Sequence, residues 1–258
     1  MSPSVGRLTF LGTGTSHGVP MIGCPCDVCR SSDPRDRRWR PSIYLELHDG
    51  TRVLVDTTPD LRMQALTFGV LRVDAILFTH GHADHIMGLD DVRRFNLLQG
   101  APIPCYGQAR TVEEVRRTFR YVFDSKEEGG GIPRIHLYPV AGLFSLGRQE
   151  VVPVPLLHGR RTILGFRLGS FAYLTDCNGI PEDSWPLLGH LDILVLDALR
   201  HRPHPTHFTV AEALAVVERL RPGRTLLTHI CHDLPHEATN AKLPAGVELA
   251  YDGLRAEI

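Results

Sequence analysis

A short apolar run, Ala75–Phe78, leads without a break into Thr79-His80-Gly81-His82-Ala83-Asp84-His85. The run reads as a buried strand, so the fold must deliver four donor side chains, His80, His82, Asp84 and His85, to the end of a strand. In extended backbone, residues two apart point to the same side, and His80 and His82 can therefore grip one cation together. Asp84 and His85 lie just beyond, where the chain should turn, and can face a neighbouring cation. Imidazole nitrogens with a carboxylate suit Zn²⁺, Mn²⁺ or Fe²⁺ rather than Ca²⁺. The competing reading is a solvated polar loop, which rarely concentrates donors at this spacing.

The pattern of short apolar runs recurs along the chain. Arg7–Leu11, Ser42–Leu47 and Arg52–Val55 read as strands, the last two split by the hairpin signal His48-Asp49-Gly50. Asp60–Phe68 reads as a short helix, and Thr111–Tyr121 as a longer one opened by a capping box of Thr111 and Glu114. Glu150–Pro155, Ile163–Leu168, Phe171–Leu174 and Asp192–Leu196 read as strands. Thr209–Leu220 is the clearest helix, with Thr209 and Glu212 as its capping box and Leu214, Val217 and Leu220 as its apolar spacing. Thr225–Leu227 is a strand that again ends at a histidine cluster. Chemistry placed where strands end predicts an α/β sandwich with its site along one rim. A layered fold of 258 residues commonly stands as one domain. The loop Phe123–Pro133, with three consecutive glycines, reads as a flap or as a plain surface loop.

Composition narrows the function. A net charge of −1 supplies no bulk attraction to nucleic acid or membrane. All but Lys126 and Lys242 of the 28 basic residues are arginine, which base composition of the genome explains. No apolar run approaches the roughly 18 residues needed to cross a bilayer, and Met1–Phe10 lacks the layout of a signal peptide. The expectation is a cytoplasmic chain whose six cysteines stay reduced and favour metal over disulfides.

The segment His80-x-His82-x-Asp84-His85 resembles the H-x-H-x-D-H signature of the metallo-β-lactamase superfamily. The resemblance implies an αββα four-layer sandwich with a dinuclear metal site at its edge. It also implies ligands downstream, and three strand ends supply them in order: His158 after Val151–Leu157, Asp176 in Tyr173-Leu174-Thr175-Asp176, and His229 in Leu227-Thr228-His229. His80, His82 and His158 would then hold one divalent ion, Zn²⁺ or Mn²⁺. Asp84, His85 and His229 would hold a second, with Asp176 bridging. Asp56, closing Val53-Leu54-Val55, matches the superfamily's first aspartate and would orient a ligand by hydrogen bond.

Cys24-Pro25-Cys26-Asp27-Val28-Cys29 places three thiols within six residues and suggests a zinc knuckle over about residues 21–32. The cluster resembles one carried by phosphoribosyl 1,2-cyclic phosphodiesterases, which pair it with a histidine three residues past the last active-site one. Here that residue is His232, with Cys231 as an alternative, and the site would hold a structural Zn²⁺. Such a crosslink would pin the N-terminal loop to the loop bearing His229. Leu11-Gly12-Thr13-Gly14-Thr15-Ser16-His17-Gly18-Val19-Pro20 resembles the same subfamily's approach to its cluster; its other reading, a phosphate-binding loop, has no following helix to support it. Coenzyme-PQQ biosynthesis proteins of the B type share a similar cluster but usually lack the full histidine motif present here.

The expected function is metal-dependent hydrolysis of a phosphodiester, first a small cyclic phosphate. Two metals about 3.5–4 Å apart can share a water, lower its pKa towards ~7 and make it a hydroxide nucleophile. Departure of an alkoxide then needs a proton. The resemblance to cyclic phosphodiesterases and to tRNA 3′-processing endonucleases places a catalytic histidine near Thr206-His207-Phe208-Thr209. His207 is the expected general acid, ahead of His201 and His204, with Asp84 also counted in the catalytic set. Arg160 and Arg161 follow His158 closely and either can clamp a phosphate; a solvated pair is the plainer reading. No motif assigns a role to His17, His48, His136, His190 or His236. Three alternatives stand: an RNA 3′-end endonuclease, disfavoured because no basic arm is evident; a thioester or lactone hydrolase; and a non-enzymatic metal-binding cofactor carrier. The expected partner is a small phosphodiester, with no membrane, nucleic acid disfavoured and a homodimer open.

Overall fold

The computed structural model describes residues 4–124 and 131–258. Of the glycine-rich loop 123–133, residues 125–130 lie outside the described residues, so the flap reading is not addressed. The first half contains β1 (Gly6–Gly12), β2 (Ser42–Leu47), β3 (Arg52–Val55), α1 (Leu61–Phe68), β4 (Ala75–Leu77), α2 (Ala83–Ile86), α3 (Arg93–Gln99), β5 (Ile103–Gly107), α4 (Ala109–Thr118), α5 (Arg120–Asp124) and β6 (Ile135–Pro139). The second contains β7 (Phe144–Leu146), β8 (Gln149–His158), β9 (Arg161–Leu168), β10 (Phe171–Leu174), β11 (Ile193–Asp197), α6 (Val210–Leu220), β12 (Arg224–Thr228), α7 (His236–Asn240), β13 (Val247–Leu249) and β14 (Arg255–Glu257).

These strands make two seven-stranded sheets, ordered β14-β1-β2-β3-β4-β5-β6 and β13-β12-β11-β10-β9-β8-β7. Each sheet begins as antiparallel hairpins and continues as parallel strands, β3 to β6 in the first and β10 to β13 in the second. The hairpin signal at residues 48–50 is correct: β2 and β3 pair antiparallel, and Gly50, at φ +91, donates its N–H to Leu47 O.

The layers follow from side-chain alternation. On β3, Val53 and Val55 point into the core between the sheets, while Leu54 points to the outer cluster that packs beneath α1, α3 and α4. On β11, Ile193 and Val195 face the inter-sheet core, and Leu194 and Leu196 face α6. Both sheets are therefore apolar on both faces and covered by helices outside, which is the αββα sandwich. No helix among the described residues is long and apolar enough to cross a membrane.

Two expectations need correction. The helix assigned to Thr111–Tyr121 starts earlier, at Ala109, and breaks at Phe119 before α5. Thr111 is buried inside α4 and Glu114 bonds Arg110, so they form no capping box: the chain leaves β5 at Gly107 and turns helical two residues later. The other box is as expected, with Thr209 and Glu212 bonding reciprocally at the start of α6.

Gly88 shows how tightly the segment after α2 is held. A Cβ there would lie 1.9 Å from the carbonyl oxygen of Thr58. Gly88→Ala must push backbone apart and is expected to destabilise the fold by about 1–3 kcal/mol in urea unfolding.

Candidate active site

Six strands of the two sheets end on one rim, and each end carries a polar residue. β3 leads into Asp56, β4 into Thr79 and His80, β8 ends at His158, β10 leads into Asp176, β11 ends at Asp197 and β12 leads into His229. Asp56, Asp176 and His229 have left-handed φ values of 64°, 58° and 60°. Such backbone is uncommon outside glycine, and each instance turns the chain sharply off its strand so that the side chain stays at the rim.

The expected ligands converge. One donor atom each from His80, His82, His158 and Asp176 lie within 4.8 Å of one another, as do those of His85, Asp176 and His229. Asp176 sits between the two groups: its Oδ2 is 3.0 Å from both His80 Nε2 and His85 Nε2, and its Oδ1 is 3.0 Å from His158 Nδ1 and 3.7 Å from His229 Nε2. Asp84 Oδ2 is 3.4 Å from His85 Nε2, on the second group's side. His80 Nε2, His85 Nε2 and Asp176 Oδ1 are buried, yet none has an aligned hydrogen-bond partner among the described residues. Unsatisfied donors and acceptors facing one another at this distance are costly unless a cation fills the centre. Imidazole nitrogens with a carboxylate form a donor set that could hold divalent cations.

The electrostatics agree. Burial lowers His80, with His85 adding to the effect, and burial brings His82 to about 4 and His229 to about 3. Burial opposes charge on Asp176, but His229 and His80 hold its carboxyl well below the usual range. Burial also opposes charge on His85, and Asp84 and Asp56 outweigh it, raising the imidazole. Burial thus keeps His80, His82 and His229 neutral and the histidines keep Asp84 and Asp176 ionised, the forms that bind metal, while the carboxylates raise His85 and His158 and so hold protons where a cation would otherwise sit.

Asp56 lies behind these ligands, in contact with Thr79 and His85. Fully buried, its Oδ1 accepts the Thr79 N–H at 2.9 Å and its Oδ2 accepts the Thr79 hydroxyl at 2.8 Å and the His85 Nδ1–H at 2.7 Å. The contact fixes His85 with Nε2 towards Asp176.

His207 reaches the same rim from the loop after β11. Its Nδ1 is 2.9 Å from Asp176 Oδ1 and 3.1 Å from Asp197 Oδ2, and its ring stacks on His229 at 4.8 Å. Burial would lower its pKa; Asp176 and Asp197 raise it to about 10. Asp197 was not singled out from sequence. It is buried, accepts the Cys177 N–H at 2.8 Å, and burial raises it to about 7. A signal was present, since Leu194-Val195-Leu196-Asp197 repeats the apolar-strand-then-aspartate pattern of Asp56 and Asp176. Arg161 Nη1 lies 3.4 Å from His82 Nε2, at the rim. Arg160 is exposed and makes no side-chain hydrogen bond among the described residues, so the structure brings only one of the pair to the site.

The cysteine cluster also assembles. The sulfurs of Cys24, Cys26 and Cys29 are 3.1, 3.4 and 3.5 Å from His232 Nδ1. Three thiols and one imidazole match a closed zinc site. The backbone N–H of Cys29 lowers Cys26 to about 7, whereas burial raises Cys29 to about 11. Cys231 stands apart, its sulfur accepting the Asp233 N–H, so His232 rather than Cys231 completes the cluster. The glycine-rich stretch lies along the His229 loop, where Ile230 N–H bonds Thr13 O and Thr15 Oγ1 is 3.3 Å from His229 Nε2. Gly12 is required there, because a Cβ would meet Arg40 O at 2.0 Å.

A sequence model of the beta-lactamase superfamily domain matches residues 51–230, which include every rim residue described above. A crystal structure described as a new diphosphatase from the PhnP family is 49% identical, covers 98% of both chains and superposes with a TM-score of 0.91. The chain therefore belongs to the metallo-β-lactamase superfamily and, within it, to the PhnP family. Zinc-bound PqqB from Methylobacterium extorquens shares the fold at 18% identity and a TM-score of 0.81, over 98% of this chain and 100% of that one. A curated protein named octanoyltransferase, from Porphyromonas gingivalis, is 36% identical over 98% of this chain, which spans about half, 51%, of that relative's length.

Two outcomes are expected here. Asp56→Asn keeps the turn but weakens the hold on His85, and should lower metal affinity at the rim about 10- to 100-fold in a competitive chelator titration. Cys26→Ser should remove one zinc per chain by elemental analysis and lower the melting temperature, because the N-terminal loop loses its anchor.

Proposed function

We propose that this hydrolase cleaves a small phosphodiester, first a cyclic phosphate, using two divalent cations at the rim. His80, His82 and His158 would hold one, and Asp84, His85 and His229 the other, with Asp176 shared; zinc or manganese suits these donors. Cys24, Cys26, Cys29 and His232 would hold a structural zinc. The rim cations, when bound, would acidify a shared water and offset the negative charge that builds on the phosphoryl oxygens.

The chain's own residues do the rest. Asp56 keeps His85 in one orientation, and Asp197 engages His207 at Nδ1. With Nδ1 occupied, Nε2 is the atom from which His207 can give a proton to the departing alkoxide, a contribution of about 10²–10⁴-fold. Arg161, beside His82, is placed to meet a non-bridging phosphoryl oxygen. The observation that carries this reading is the position of His207, an imidazole held at Nδ1 by two buried carboxylates, Asp197 and the proposed shared ligand Asp176. The relative at 49% identity is named a diphosphatase, which supports phosphorus–oxygen bond cleavage at such a site.

A second reading, hydrolysis of an acyl thioester, draws on the longer relative named octanoyltransferase. The two separate in one assay. Purified chain loaded with Mn²⁺ or Zn²⁺ should turn over bis(4-nitrophenyl) phosphate and 2′,3′-cyclic nucleotides, and a chelator should abolish this. Turnover of an octanoyl thioester with none of either phosphodiester would overturn the first reading. His207→Ala should lower kcat about 10²–10⁴-fold with metal content unchanged; undiminished turnover would remove His207 from the mechanism.

A further inference from the structure

Two short segments meet beside the rim: the turn Asp176–Gly179 that follows β10, and the loop from Arg200 to His207 that follows β11. The turn reaches that loop's end through one backbone bond, Phe208 N–H to Cys177 O at 2.8 Å. Before that point, residues 201–206 are held from outside the loop by two side-chain hydrogen bonds among the described residues. One is Arg202 Nη2 to Asp233 Oδ2 at 2.8 Å, an exposed ion pair. The other is Asn178 Nδ2 to Pro205 O at 3.0 Å, two residues before His207.

Asn178 faces the other way as well. Its Oδ1 accepts the Gly159 N–H at 2.9 Å, next to His158. Its backbone N–H donates to Leu157 O at 2.8 Å, and Leu157 N–H returns a bond to Gly179 O at 2.9 Å. One side chain therefore spans from the turn behind His158 to the loop that carries His207, and it does so from the turn that begins with Asp176. Its two partners are backbone groups of opposite kind, an N–H that only donates and a carbonyl that only accepts. A carboxamide offers one acceptor and one donor group in a fixed plane and satisfies both; a carboxylate has no donor for Pro205 O, and an alkyl side chain meets neither partner. Pro205 has no N–H, so its carbonyl is its only handle for a backbone bond. Holding that carbonyl fixes the peptide plane from which Thr206 and His207 continue. Asp197 orients the His207 ring at Nδ1, whereas Asn178 acts on the backbone that delivers the ring.

We propose that Asn178 is a positioning residue for proton delivery, its amide setting the spacing between His207 and the His158–Asp176 side of the rim so that His207 Nε2 meets the leaving oxygen. The inference rests on the reading of His207 as general acid and deepens it: the acid is placed by a residue of the Asp176 turn, so the shared carboxylate and the proton donor are set by one short segment. The proton passes from Nε2 to the alkoxide oxygen as its bond to phosphorus breaks, and Asn178 exchanges no proton itself.

The test compares wild type, Asn178→Asp, Asn178→Ala, His207→Ala and the Asn178→Asp/His207→Ala double variant, with metal content measured for each. Asn178→Asp keeps the acceptor for Gly159 and loses the donor to Pro205; Asn178→Ala removes both bonds and adds no charge. On a 2′,3′-cyclic nucleotide, whose alkoxide needs a proton, both single Asn178 variants are expected to lower kcat about 3- to 10-fold, the worth of one hydrogen bond, with KM little changed. The loss is expected to be smaller on bis(4-nitrophenyl) phosphate, whose leaving group departs as a stable anion. In the His207→Ala background Asn178→Asp should cost less than about twofold, because the residue it positions is gone. An equal loss in both backgrounds, or an undiminished kcat in both Asn178 variants, would overturn the proposal. Hydrogen–deuterium exchange keeps this inference apart from the reading beneath it. Faster exchange at residues 204–209 in Asn178→Asp supports the positioning of the loop even if His207→Ala turns over undiminished, whereas exchange equal to wild type there sinks it.

Discussion

Asp176 is 2% exposed, and its two carboxylate oxygens lie within 3.0 Å of nitrogens from His80, His85 and His158. Nearly everything else in the molecule serves to hold that carboxylate among those rings. A buried charge is tolerated only when opposite charge or hydrogen bonds meet it. Here the opposing groups come from strand ends in both sheets: β4 and its following loop in one, and β8 and β12 in the other. The apolar core between the sheets, with Val53, Leu77, Phe166 and Val195, therefore sets the geometry of a polar centre at its edge. Misalignment of the sheets would take His80 and His85 away from Asp176 and leave it only the histidines of its own sheet.

The two donor clusters are mechanically linked. His229 and His232 are three residues apart on one loop, and the buried guanidinium of Arg38 grips that loop through Cys231 O at 2.9 Å and Leu234 O at 2.7 Å. Arg38 is paired with Asp36 at 3.0 Å, and Asp36 also accepts the His236 N–H. A metal held by the cysteines would add a further restraint on His232, from the N-terminal side. A residue at the rim is thus positioned by a network that begins more than two hundred positions away in sequence, which explains why the glycine-rich approach must pack so closely.

Much of this was legible in the residues. His80, His82, Asp84 and His85 announce themselves because their spacing matches strand and turn geometry, and His158, Asp176 and His229 follow from the superfamily resemblance, which implies ligands downstream where these three end apolar runs. What escaped notice has physical causes. Asp197 ends its strand as Asp56 and Asp176 do, but no motif pointed to it, since its part is to hold another side chain. β5 and β6 were missed because Pro104, His136 and Pro139 interrupt their apolar runs, and β13 and β14 span only three residues each. Thr111 with Glu114 has the right spacing for a cap, yet burial of Thr111 inside α4 overrides it. The difference in standing between Arg160 and Arg161 depends on which way a strand turns, and adjacent identical residues carry no trace of that.

The most direct test of the account is the elemental composition of the purified chain beside that of Asp176→Ala. Three divalent ions per chain, falling to one zinc when Asp176 is removed, is the expected result: in the proposed arrangement the two rim ions would share one carboxylate, and the cysteine-bound ion would not. A wild-type chain that retains no ion beyond the cysteine-bound zinc, or an Asp176→Ala protein that keeps all three, would contradict it.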